Sequence, residues 1–150
     1  MAGGKKKNEQ LFYSFESKKD RGRFVRLAED MMDSPAWKSL KLAQRGLYTE
    51  LKKKFSKRSN GTTTQNDISM PKSEAESLYG DLRTFRSNMD ALISHGFLKC
   101  VRSGFNTREV SIYGFSERWK DYGTPGFAIP KDELRPHVGK LAPRSDAFDN

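Results

Sequence analysis

Apolar residues are spread unevenly along the chain: from Phe24 onward they recur at helical or strand spacing between short polar breaks, whereas the two ends show neither period. Phe24, Val25, Leu27, Met31 and Met32 raise the apolar density, and Asp33-Ser34-Pro35 then predicts a helix start. Serine offers its hydroxyl as N-cap, and proline fits the first turn, where its missing N–H costs nothing. The helix runs through Ala36, Trp37 and Leu40 to a second segment, Leu42 to Phe55, in which Leu47, Tyr48, Leu51 and Phe55 bury one face. Asn60 to Asn66 holds no apolar residue and reads as a loop.

A second unit spans Asp67 to Phe115. Asp67-Ile68-Ser69-Met70 is a short β-like run ended by Pro71. In the helix that follows, Ser73 and Glu76 have capping-box spacing, and Ala75, Leu78 and Tyr79 supply a small buried face. Gly80 supplies the positive φ of a sharp turn, and Asp81 caps the next helix. That helix places Leu82, Phe85, Met89, Leu92 and Ile93 on one stripe and turns Arg83, Thr84, Arg86, Ser87, Asn88 and Asp90 to solvent, with Gly96 ending it. Two β-like runs, Phe97 to Arg102 and Glu109 to Phe115, flank the turn Ser103 to Arg108. Leu98 and Cys100 alternate with Lys99, and Val110 and Ile112 alternate with Ser111 and Tyr113, which predicts a hairpin with one buried face. Glu117-Arg118-Trp119-Lys120 closes the unit and lays Trp119 on the core.

In order this is strand, helix, turn, helix, hairpin, the back half of a winged helix-turn-helix. The predicted fold class is α+β, mostly α, with a small antiparallel β wing, occupying residues 24–120. Residues 1–23 form a basic arm carrying the aromatic knot Phe12-Tyr13-Ser14-Phe15. Residues 121–150, with Pro125, Pro130, Pro136 and Pro143, read as an extended Pro/Gly-rich tail. Within it, Phe127 to Leu134 is left the choice of docking locally or pairing with a second subunit.

A length of 150 residues allows one modest core. A net charge of +9 favours a polyanionic partner, nucleic acid or an acidic membrane surface. Cys100 is the only cysteine, so no intrachain disulfide forms, and between Leu98 and Val101 it reads as a buried, inert thiol. The lysines of residues 1–7 are followed only by Leu11-Phe12-Tyr13 before charges resume, too little for a signal peptide. No apolar run approaches the ~20 residues of a membrane span. A cytoplasmic protein with no membrane partner is expected.

Catalysis finds little support. His95 stands at a helix end and His137 in the proline-rich tail, neither near Cys, Asp or Glu at metal-ligand spacing. Gly123-Thr124-Pro125-Gly126 lacks the Gly-Lys-Ser/Thr ending of a phosphate loop, and no serine has a recognisable His and acid partner. No enzyme activity, catalytic residue, cofactor or metal is predicted. Trp37 and Trp119 read as core or junction aromatics.

The stretches Phe24-Val25-Arg26-Leu27, Asp33-Ser34-Pro35-Ala36-Trp37, Leu42-Ala43-Gln44-Arg45-Gly46-Leu47-Tyr48 and Ala91-Leu92-Ile93-Ser94-His95-Gly96-Phe97-Leu98 resemble winged-helix proteins of bacterial mobile elements and phages, including replication initiators and small regulators. The resemblance covers residues 24 to 119 and implies DNA binding, with Asp81 to His95 in the recognition position and the protein associated with nucleoid or plasmid. Regulators of this kind commonly pair half-sites by two-fold symmetry, which admits a homodimer, yet no heptad run offers an interface.

Side-chain chemistry supports double-stranded DNA independently. Arg makes two hydrogen bonds to guanine and Asn two to adenine, so Arg83, Arg86 and Asn88 suit base reading, while Thr84 and Ser87 suit phosphates or bridging waters. Arg102 and Arg108 flank the wing tip and suit an adjacent minor groove. Lys52, Lys53, Lys54, Lys57 and Arg58 suit backbone contacts, although cations near a helix C-terminus also answer its dipole. The charge distribution complicates this. Residues 34–66 hold eight basic and one acidic residue, +7, whereas residues 67–96 hold three basic and five acidic, −2. Asp90 in particular would repel phosphate from the exposed stripe. The expectation is therefore a sequence-specific DNA-binding factor in replication initiation or transcription control; the alternative is a winged-helix interaction module recruiting replication proteins.

Overall fold

The structure, a computed structural model, describes residues 24–57, 67–104 and 109–136. The basic arm, Arg58, Arg108 and the end of the tail lie outside the described residues. The described chain is α+β and mostly helical: α1 (Glu29–Met32), α2 (Pro35–Ser39), α3 (Leu42–Lys57), α4 (Lys72–Tyr79) and α5 (Leu82–Ser94) precede β1 (Leu98–Arg102) and β2 (Ile112–Phe115). Two 3₁₀ turns follow, Arg118–Asp121 and Lys131–Glu133.

The local start and stop signals act as their chemistry requires. Ser34 caps α2 by accepting from the Trp37 N–H at 3.2 Å while its hydroxyl donates to the Met31 carbonyl at 2.6 Å, so one side chain fixes the α1–α2 corner. At the start of α3, the Gln44 side chain reaches back to accept from the Lys41 N–H at 2.9 Å. Gly80 stands at φ 80° and ends α4, and Asp81 then caps α5 by accepting from the Thr84 N–H at 2.6 Å. Gly96 has φ 87°, and a Cβ there would meet the Trp119 nitrogen at 2.5 Å, so the chain leaving α5 needs both the left-handed backbone and the missing side chain.

One expected cap does not form. α4 begins at Lys72 behind Pro71, before the expected Ser73 cap, so Ser73 lies inside the helix and Glu76 pairs with Lys72 instead at 3.8 Å. The Ala75 N–H, bonded to the Pro71 carbonyl at 3.0 Å, shows why: proline already provides a helix-compatible start.

The core lies between α3 and α5. Leu47, Tyr48 and Leu51 meet Met89, Leu92 and Ile93, with Phe97 and Leu98 closing one end. Burying each such side chain contributes about 1.5–3 kcal/mol, which dominates the holding of these two helices together. Trp37, Tyr48 and Phe97 pack edge to face with centroids 5.6–5.7 Å apart, and Trp119 stacks on Phe97 at 6.0 Å. Burial in this cluster pushes the Tyr48 hydroxyl pKa up to about 12.

β1 and β2 pair antiparallel, and Ile68 adds a bridge to Tyr113 on the other side of β2. The expected alternation in the second strand is reversed: Tyr113 is buried at 4% exposure, whereas Val110 is 43% exposed. The pairing accounts for the reversal: the inward residues Leu98 and Cys100 stand opposite Phe115 and Tyr113, which puts Tyr113 rather than Ile112 on the buried face. Beyond that pair the register slips at a bulge, with Arg102 facing Ile112 and Val101 left as an extra residue. Cys100 is buried as expected, and burial raises its thiol pKa.

The first part of the tail is more ordered in its packing than its proline and glycine content implies. Tyr122, Ile129 and Leu134 pack against the core, and the second 3₁₀ turn lies against β1. Arg118 ties the first 3₁₀ turn to the second by donating to Glu133 at 2.6 Å. Tyr122 stacks on His95 at 5.0 Å. Residues 121–136 thus form a strap across the end of α5 rather than an extended tail.

Candidate nucleic-acid interface

α5 positions the central residues. Its buried ridge of Phe85, Met89, Leu92 and Ile93 turns inward, so the opposite side is presented to solvent. Arg83, Thr84, Arg86 and Ser87 are all exposed there. Arg83, Arg86 and Asp90 fall at i, i+3 and i+7, one row along the helix. Neither arginine stands within 4.0 Å of a described carboxylate, although, after the Thr84 hydrogen bonds, the Arg83 charge helps to hold down the pKa of Asp81.

Asn88 departs from the expectation. It is 8% exposed and lies beside the Tyr79 hydroxyl, which itself donates to the Ala43 carbonyl at 3.0 Å. It lies on the flank of α5 that faces α4, and burial there withdraws its amide from a base edge. The helical period gave no warning because this flank borders the apolar stripe, where only packing by α4 decides burial.

The acids that made this region negative are engaged elsewhere. Glu74 pairs with Lys54, Glu76 with Lys72, and Asp81 is the α5 cap. Hydrogen bonds from the Thr84 N–H and hydroxyl hold the Asp81 carboxyl below the ordinary carboxylate range. Asp90 is taken by Arg135, whose Nε and Nη2 donate to its two oxygens at 2.5 and 2.7 Å. The row on α5 is therefore positive at Arg83 and Arg86 and compensated at Asp90.

α3 delivers less free charge than its sequence advertises. Lys54 is held by Glu74, and the Lys52 ammonium stands 5.3 Å over the Phe115 ring, where burial lowers its pKa. Lys53 is exposed. Lys57 ends the helix, its side chain outside what is described, as are all of Arg58 and Arg108. On the hairpin, Arg102 is exposed and lies 3.7 Å from Glu109. Lys38 and Lys41, counted in the charge but not singled out, are both exposed at the α2–α3 corner. Arg45 is turned inward, donating to the Trp37 and Lys38 carbonyls at 3.2 and 3.3 Å.

His95 Nδ1 lies 2.7 Å from the Ala91 carbonyl, so the ring serves the helix end. Among the described residues no group of three or more His, Cys, Asp and Glu is placed to hold a metal, and no helix is long and apolar enough to cross a membrane. No family model, curated protein or solved structure matches the chain, and its function is argued from the arrangement above.

Proposed function

We propose that the protein binds double-stranded DNA in sequence-specific fashion as a winged helix-turn-helix, with α5 as recognition helix and the β1–β2 hairpin as wing. The order of helices and hairpin, with Ile68 bridging β2, is compatible with that fold. One observation carries the reading: Arg83 and Arg86 stand exposed on one row of α5 while Asp81 and Asp90, the acids of that segment, are occupied by a helix cap and by Arg135. Arg83 and Arg86 supply bidentate donors for guanine, and Ser87 beside them suits phosphate or water-bridged contacts, whereas the Thr84 hydroxyl expected to do the same is given to Asp81. Arg102 on the wing, Lys53 on α3, and Lys38 and Lys41 at the α2–α3 corner supply sequence-independent attraction. The resemblance of residues 24–119 to mobile-element and phage proteins supports a role in replication initiation or transcription control.

Titrating salt against binding to duplex DNA tests this. Neutralising a handful of phosphates makes the logarithm of affinity fall linearly with the logarithm of salt, with a slope of about −0.9 per phosphate contact. No duplex binding even at low salt would overturn the proposal and favour an α5 face that packs on another protein.

A further inference from the structure

The strap's last described turn holds a buried arginine that no sequence pattern marks. Arg135 is 6% exposed, and its fork closes on both oxygens of Asp90 while Nη2 also approaches the Arg86 carbonyl at 3.4 Å. It therefore grips α5 on the very row that carries Arg83 and Arg86, through the backbone of one of them. On its other side the guanidinium lies close enough to the buried Tyr113 of β2 to bear on its hydroxyl. Ser111 accepts from the Gly104 N–H at 2.8 Å, at the base of the hairpin tip. The strap thus touches both the reading helix, through Arg135 and Asp90, and the hairpin, where its second 3₁₀ turn lies against β1.

A planar guanidinium held at two carboxylate oxygens fixes orientation as well as distance, which a lysine ammonium does not. We propose that Arg135 is a positioning residue for the duplex-binding surface: from a segment that touches no nucleic acid, it sets the recognition helix against the wing and cancels the one carboxylate on the reading row. The inference rests on the DNA-binding reading above. Helix and wing enter neighbouring grooves, so a change of their relative angle misplaces one contact set whenever the other is seated.

The experiment measures binding of the parent, Arg135→Lys and Tyr113→Phe to a site selected by the parent, well below the melting temperature of each protein. Each is also combined with Arg86→Ala and Arg102→Ala. Lysine keeps the charge and loses the fork; phenylalanine keeps the ring in the core and removes the hydroxyl beside the guanidinium, so the second variant serves if the first unfolds. Arg135→Lys is expected to lower affinity by about fivefold or more. In the parent, the helix and wing substitutions are expected to be non-additive, and in both variants they become additive, a change that loss of fold stability alone would not produce. Variants that bind within twofold of the parent with coupling intact overturn the inference and leave the DNA reading standing. A parent that binds no duplex overturns both.

Discussion

The basic face of α3 and the reading row of α5 both depart from what charge counting suggests. Residues 34–66 carry eight bases against one acid, yet Lys54 is bound to Glu74 and Lys52 is laid over Phe115. Residues 67–96 carry three bases against five acids, yet Arg83 and Arg86 are both exposed, and Glu74, Glu76, Asp81 and Asp90 are committed to partners inside the molecule. Formal charge per segment is therefore a poor guide to which surface meets a polyanion. What matters is the charge left after intramolecular pairing: Lys38, Lys41 and Lys53 stay exposed on the basic segment, and Arg83 and Arg86 stay exposed on the helix that the totals call acidic.

The largest expected effect breaks the premise that α5 has a fixed inner face. Leu92 is fully buried in the ridge, and Leu92→Ala is expected to cost about 2–5 kcal/mol in chemical denaturation, with duplex binding lost along with the fold. Next comes Asn88→Ala. Emptying the space of its buried amide beside Tyr79 is expected to cost about 1–3 kcal/mol, while the preferred site, found by selecting duplexes from a random pool, stays the same. An altered preference at an adenine position would return Asn88 to the reading face.

Asp81→Ala removes the cap that aims the first turn of α5. The folded-state pKa of Asp81 is depressed, so its contribution is complete above the ordinary aspartate value of about 3.9 and disappears as pH falls through the lower folded value. Melting curves of parent and variant should therefore differ most near neutral pH and converge in strong acid. The smallest effect is expected from Lys54→Ala, whose partner Glu74 lies at the surface: about 0–1 kcal/mol in stability and no change in the salt slope of duplex binding. A slope reduced by about 1 would show instead that Lys54 leaves Glu74 to neutralise a phosphate.

What was legible in the sequence follows from the range of each interaction. Ser34-Pro35, Gly80-Asp81 and Gly96 act within a few residues through backbone donors and left-handed backbone, and each behaves as its type requires. The apolar stripe of α5 was equally visible because its period repeats within one helix. The strand phase was not, since the register that sets Tyr113 opposite Cys100 exists only as a relation between two strands. Ser73 lost its cap to Pro71, a competition between two adjacent start signals. Asn88 and Arg135 depend on Tyr79 and on Asp90 forty-five positions away, and a single sequence carries no trace of such a pairing.

Selecting duplexes from a random pool with the parent, and then comparing their binding by Arg83→Ala/Arg86→Ala and by Lys53→Ala, tests the central claim most directly. The account predicts that the double change erases the selected preference, at about 1–3 kcal/mol per lost base contact, whereas Lys53→Ala weakens all duplexes alike and flattens the salt dependence. A preference that survives loss of both arginines would contradict it.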